Sequence, residues 1–355
     1  MRSLALGFLM LTGCRAIDFP GGTVAEPVLV ETVSWGTHHA CAISTAGGPV
    51  CWGLNNAFQL GTVSGDRSTV PVAPELGAID LDTIVAGHTL TCGLDRKRRA
   101  WCWGGDLVTP RVIAEGRSFG EIKGGELFCG RDDDDLIWCW GLDTRLAAPV
   151  TGTTALTVWD VGALGCGLLA DSTASCWTLE TPLTAVPGGM KFRTISAGGG
   201  HACGMGADNV ARCWGSDQGG ALGNGGAAGS SETPVVVTSP PGATLVQVHA
   251  GAGFSCGVAD NGRGYCWGDA SYGQLGIGYF DGIGEYQTPV GVAPSRIFVG
   301  PLVVGRNSTC GPANDGLLYC WGRNEFYMFG SGPEPYEWSP WPALSVPPFV
   351  AGEAP

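Results

Sequence analysis

Seven times along this chain two cysteines stand ten residues apart: Cys41 and Cys51, Cys92 and Cys102, Cys129 and Cys139, Cys166 and Cys176, Cys203 and Cys213, Cys256 and Cys266, Cys310 and Cys320. Each second cysteine precedes a tryptophan, from Trp52 to Trp321, and glycine follows that tryptophan except in the fourth repeat, where Thr178 stands. The seven pairs use every cysteine but Cys14. A disulfide needs Cα atoms about 5.5 Å apart, which opposed residues on neighbouring antiparallel strands provide. Ten positions with a turn such as STAGGP or ADNGRG between them suit a hairpin cross-link. Zinc is the competing use of paired cysteines, but no C-x-x-C occurs and no histidine pair completes a site. Repeat symmetry therefore selects seven hairpin disulfides, and the cysteines are scaffold. Such bonds persist in oxidising compartments.

The rest of the phrase repeats too. A glycine stands five residues before the first cysteine in six repeats: Gly36, Gly87, Gly124, Gly198, Gly251 and Gly305. A Thr-Pro step with β-branched residues precedes the next unit, as in TPRVI, TPVVV and TPVGV. Each unit thus offers about four short strands, and the tightest units recur every 37 residues. Sixty glycines, 23 prolines and only 14% charged residues agree with short strands and tight turns. Units of this kind bury their faces only against one another, so seven close into a ring. The expected fold is all-β: a seven-bladed β-propeller of four-stranded antiparallel blades with one disulfide in each. Val161 and Thr178 replace two of the recurring glycines, so the fourth blade is expected to be distorted. Ring closure is expected to draw strand material from both ends, EPVLVETVSWG and SPWPALSVPPFVAG.

CWGLNNAFQLG, CWGSDQGGALGNG and CWGDASYGQLGIG resemble the signature of the regulator of chromosome condensation repeat family. The likeness runs from about residue 27 to 355, strong in repeats 1, 5 and 6, partial in 7 and weak in 2 to 4. It implies a seven-bladed propeller, and the hairpin cysteines resemble exported bacterial members. The family spans an exchange factor, a secreted enzyme inhibitor and many surface proteins, so the resemblance leaves function open.

The N-terminus reads as an address. Met1-Arg2, an apolar run from Leu4 to Leu11, and then Thr12-Gly13-Cys14 resemble a bacterial lipoprotein signal. That implies a signal peptide over 1–13, a lipidated tether over 14–26 beginning at an acylated Cys14, and a propeller over 27–355. Arg15 follows the cysteine rather than Asp, which points to the outer membrane or cell surface, or to the periplasm or exterior without lipidation. A net charge of -13 counts against nucleic acid. The membrane is met only through the lipid, and the ring is read as monomeric.

Extra length follows the Trp-Gly of repeats 1, 5, 6 and 7, which are contiguous in a closed ring. Those segments carry Phe58, Tyr272, Tyr279, Phe280, Tyr286, Phe326, Tyr327 and Phe329. Aromatics on loops held by a stiff scaffold are the usual material of binding hot spots, and equally of rings folded back over blade edges. The favoured function is a non-enzymatic module that recognises a protein or glycan through these loops. A carbohydrate-active enzyme with carboxylates at the ring centre, or a structural surface protein, are the alternatives. No G-x-S-x-G, H-E-x-x-H or P-loop occurs, and no cofactor or metal is expected. His39 and His201 each stand two before a first cysteine, a position that reads as structural. Two adjacent hairpin tips carry opposite charge, RKRR at 96–99 and DDDD at 132–135. Their mutual attraction across the rim is preferred to a calcium site, which lacks the ligand spacing of a calcium loop. Asn307-Ser308-Thr309 fits a glycosylation acceptor and is read as chance.

Overall fold

The computed structural model describes residues 30–44, 48–105, 107–141, 147–226, 229–279, 283–325, 328–329 and 336–342. They form seven four-stranded antiparallel sheets, each built from four consecutive strands. Blade 1 runs from β1 (Val30–Trp35) through β2 (His39–Ser44) and β3 (Pro49–Leu54) to β4 (Arg67–Val72). Blade 7 ends on β28 (Tyr336–Pro342). In every blade the two cysteines face each other across the second and third strands, with Cα atoms 4.0–4.1 Å apart. All seven expected disulfides form, one in each blade. Cys41 is bonded to Cys51, Cys92 to Cys102, Cys129 to Cys139 and Cys166 to Cys176. Cys203 is bonded to Cys213, Cys256 to Cys266 and Cys310 to Cys320.

The hydrophobic core lies in the seams. Buried residues of one blade cluster with those of the next, as Met205, Ala211 and Leu222 of blade 5 do with Leu245, Val248 and Trp267 of blade 6. No strand is shared between the ends of the described chain: β1 is the inner strand of blade 1, and β28 is the outer strand of blade 7. Closure across that seam is by side chains. Trp52 Nε1 donates to the Met328 carbonyl at 2.7 Å, and Trp35 packs edge-on against Trp52 and Phe329.

A ring of glycines sets the axial spacing. Gly36, Gly87, Gly198, Gly251 and Gly305 end the inner strands, each amide closing on a carbonyl three residues on. In blades 3 and 4 the turn is one residue shorter, and Gly125 and Gly162 donate to carbonyls only two residues on. The counterpart of Gly87 in blade 3 is therefore Gly125, not Gly124, and in blade 4 it is Gly162. Val161 replaces nothing: it occupies the strand position before the ring glycine, opposite Gly165. Adjacent blades touch here through main chain, with Thr37 N donating to Gly87 O, Leu127 N to Gly162 O and Gly199 N to Gly251 O at 2.9–3.0 Å. A Cβ on Gly198 would stand 2.2 Å from Gly251 O, so no larger residue fits.

Thr178 is likewise tolerated. In five blades the glycine after the tryptophan sits at φ +95 to +105, where the outer strand takes a bulge. In blades 3 and 4 the third strands, β11 (Ile137–Trp140) and β15 (Ala174–Trp177), stop at the tryptophan. Their outer strands have two residues each, β12 (Ala148–Pro149) and β16 (Thr184–Ala185), and no bulge forms. The expected distortion of blade 4 is thus a shorter blade form, shared with blade 3.

Candidate functional site

The connection between third and fourth strands is long in blades 1, 5, 6 and 7, and it clamps the next blade. Trp103 Nε1 donates to Gln59 O at 3.1 Å, Trp267 Nε1 to Ala221 O at 2.9 Å and Trp321 Nε1 to Gln274 O at 3.0 Å. Trp52 completes the set through Met328 O. The next residue of each loop, Leu60, Leu222, Leu275 or Phe329, is buried in the seam. Asn55, Asp217 and Asn324 hold these loops by accepting from the amides of Leu60, Leu222 and Phe329 at 3.0 Å. Blades 2, 3 and 4 lack the loop, and the tryptophans after them show it. Among the described residues Trp140 and Trp214 have buried indole nitrogens with no partner, and Trp177 reaches only Cys139 Sγ.

Two histidines support the same loops. Thr91 Oγ1 donates to Gln59 O at 2.8 Å, so it accepts from His39 Nε2 at 2.7 Å. Ser255 Oγ donates to Ala221 O at 2.9 Å and accepts from His201 Nε2 at 2.7 Å. Burial holds His39 down to about 3, with His38 and His88 adding to it, and holds His201 down to about 4. Both are neutral structural links, as their register implies.

On this face a funnel of about 600 Å³ opens over the ring axis. The residues just after the ring glycines supply part of its wall: Thr37, His38, His88, Glu126 and Arg306. Long loops raise the rest, with Gln218 from blade 5 and Tyr272 from blade 6, and Arg323 joins them from the end of the third strand of blade 7. Arg306 of blade 7 pairs with Glu126 of blade 3 across the mouth. Arg323 binds both oxygens of Glu325 at 2.7 and 2.8 Å, and its guanidinium lies 5.1 Å over the Tyr272 ring. His38 is pushed down to about 4, by burial first and then by Arg323, against the opposing pull of Glu325. His88 is lowered by burial, Arg306 and Arg323.

The loop aromatics divide. Tyr279 is 61% exposed, and Tyr272 is half-buried on the funnel wall. Tyr286 is partly buried against the blade 6–7 core, and Phe58 is partly buried at φ +59, where repeats 5 and 6 have glycine. Phe329 is fully buried and belongs to the closing seam, not to a surface, because it takes the place of the clamp leucine. Phe280, Phe326, Tyr327 and Cys14 lie outside the described residues. The opposite face carries the charged tips. Arg98 pairs with Asp133 at 2.8 Å across blades 2 and 3. Asp132 instead caps its own turn and accepts from Trp138 Nε1 at 2.8 Å, and from Arg117 at 3.1 Å.

His38, His88, Glu126, Arg306 and Arg323 were not singled out from the sequence. The available signal was positional, since four of them fall one or two residues after a ring glycine.

Residues 213–258 match the family model "Regulator of chromosome condensation (RCC1) repeat". Prp20p of Saccharomyces cerevisiae is structurally similar, with a TM-score of 0.67 at 17% identity over 90% of this chain and 88% of that one. The chain is an RCC1-type repeat propeller. The ectodomain of the Physcomitrella patens receptor kinase CR4 is also similar, with a TM-score of 0.52 at 25% identity over 82% of this chain and 72% of that one. Among curated proteins the E3 ubiquitin-protein ligase HERC2 of Homo sapiens is 29% identical over 113 residues, 32% of this chain and 2% of HERC2. The RCC1-type propeller thus spans a small fraction of the curated relatives it matches.

Proposed function

We propose that this RCC1-type propeller is a non-catalytic interaction module that receives a protein partner on its long-loop face. An acylated Cys14 would hold it at the outer membrane or cell surface. The observation that carries this reading is the asymmetry of the disc. One face joins an open funnel of about 600 Å³ to the raised loops of blades 5, 6, 7 and 1. Exposed Tyr279 stands on one of these loops, and Phe58 is held in the left-handed region on another. Bulky residues held there cluster at functional sites. Prp20p is described with its binding to Gsp1p and histones, and in a complex with Kap60, which supports a protein as the partner class.

Lysine-directed cross-linking would sample the wrong face, because the chain has only Lys97, Lys123 and Lys191. A photo-reactive residue at position 279 is compared on intact cells with one at position 191, which is exposed on the tip face. Recurrent links to one protein from position 279 alone, lost on Arg323→Glu, are expected. Equal labelling from both positions would overturn the assignment of the face. Cys14→Ser is expected to release the protein into the soluble fraction, and retention on the membrane would refute the anchor.

A further inference from the structure

Beneath the funnel, on the ring axis, lies a second cavity of about 230 Å³ with a different wall. Val33, Trp35, Val161, Ala197, Ala250 and Val304 line it together with the ring glycines. The glycines bring main chain, but that main chain is already engaged. All seven ring-glycine amides donate within their own turns, and the carbonyls of Gly87, Gly162, Gly198 and Gly251 accept from the neighbouring blade. A buried water makes about three hydrogen bonds, and this wall has turned most of its ring-glycine donors and acceptors inward. Four polar side chains reach the cavity among the described residues: Ser34, Thr37, Glu126 and Arg306. Ser34 Oγ accepts from the Ala86 amide at 2.9 Å. The other three also line the funnel, so they stand at the neck between the two spaces. The two charges of the neck pair with each other, and the next cation, Arg323, is held by both oxygens of Glu325. Glu126 and Arg306 are each more than one-third exposed, so the neck is open to an entering group.

We propose that the axial cavity is a binding site for a small, neutral, apolar molecule. The wall supplies affinity by taking apolar surface out of water. An apolar cavity of roughly 150 Å³ accommodates the six carbons of benzene, so by proportion this one takes about nine. The neck sets the charge rule. A charged head drawn into the cavity loses its water and finds no free counter-ion among the described residues, and one held at the neck meets a pair already made. The site therefore prefers a neutral ligand to an acid or an amine of the same shape. It is independent of the partner-binding reading, because it lies below the funnel and uses none of the loop aromatics.

Isothermal titration calorimetry of the oxidised, full-length protein near neutral pH tests it, with propylbenzene, benzene, phenylpropanoate and phenylethylammonium as probes. Propylbenzene is expected to bind saturably at one site, and about fiftyfold more tightly than benzene, three carbons smaller. The two charged probes have nearly its shape, and each is expected to bind at least about tenfold more weakly. Val303→Phe, at a cavity-lining residue 51% exposed, fills the space and is expected to remove propylbenzene binding while circular dichroism stays unchanged. Val299→Phe, at a residue 62% exposed outside the cavity wall, is expected to leave binding as it is. No saturable heat with propylbenzene, a charged probe that binds the native protein as tightly, or the same propylbenzene affinity in Val303→Phe as in Val299→Phe would each overturn the proposal.

Discussion

Acid is expected to loosen the ring through three histidines, of which His39 and His201 are buried and His249 partly so. His39, His201 and His249 are held by burial at about 3, about 4 and about 4, against 6.5 for the free side chain. Below pH 6.5 the unfolded chain takes up these protons and the folded chain does not. Stability is therefore full above about pH 6.5 and falls as pH drops toward 4. The slope is about 1.4 kcal/mol per pH unit for each histidine, so at pH 5 each has lost about 2 kcal/mol. Together they lose about 6 kcal/mol, comparable with the whole stability of many domains. Asp160 and Asp217, raised by burial, act in the opposite sense at the acid end. Guanidinium unfolding under non-reducing conditions, at several values between about pH 7.5 and 5, reads the slope directly. His201→Gln keeps a donor for Ser255 but cannot titrate, and is expected to remove about one proton from that slope. A midpoint flat across the window, or a slope unchanged in His201→Gln, would refute the reasoning.

Three further outcomes are measurable by the same unfolding curves. Gly198→Ala places a Cβ against Gly251 O and is expected to cost about 3 kcal/mol, whereas Gly284→Ala, with open space around it, is expected to be neutral within about 0.5 kcal/mol. Asn55→Ala strips the Leu60 amide and the Thr62 and Gly65 carbonyls of their partner and is expected to cost about 2–3 kcal/mol; Asn55→Asp keeps the acceptor for Leu60 but sets a buried carboxylate oxygen against the Thr62 and Gly65 carbonyls, and is expected to cost at least as much. Asp133→Asn breaks a pair exposed on both sides and is expected to change stability by less than about 1 kcal/mol.

The cysteine spacing and the Trp-Gly phrase made the blade legible, because hairpin geometry ties a covalent bond to a fixed sequence distance. The ring glycines were legible only where the inner turn keeps one length. A one-residue deletion moved the glycine to Gly125 and Gly162, and counting back from the cysteine then pointed at the wrong residue. The clamp was hidden for another reason. Its signature sits in one blade while its partner, the indole of the next tryptophan, sits 44 to 47 residues on in the pairs that join consecutive repeats. Phe329 looked like a surface aromatic because its role as a clamp leucine appears only when blade 7 meets blade 1. The funnel was less legible still. Glu126 and Arg306 are 180 positions apart, and only closure of the disc brings them together.

Each blade is complete before the next begins, and no described strand returns to finish an earlier one. A chain emerging into an oxidising space can therefore cross-link one hairpin at a time, always between nearest cysteine neighbours in sequence. Wrong pairing would require a later hairpin to invade one already sealed. Assembly in that order would be vectorial, with the meeting of Trp52 and the Met328 carbonyl as its last expected event. A chain built this way can fold from either end without waiting for the other.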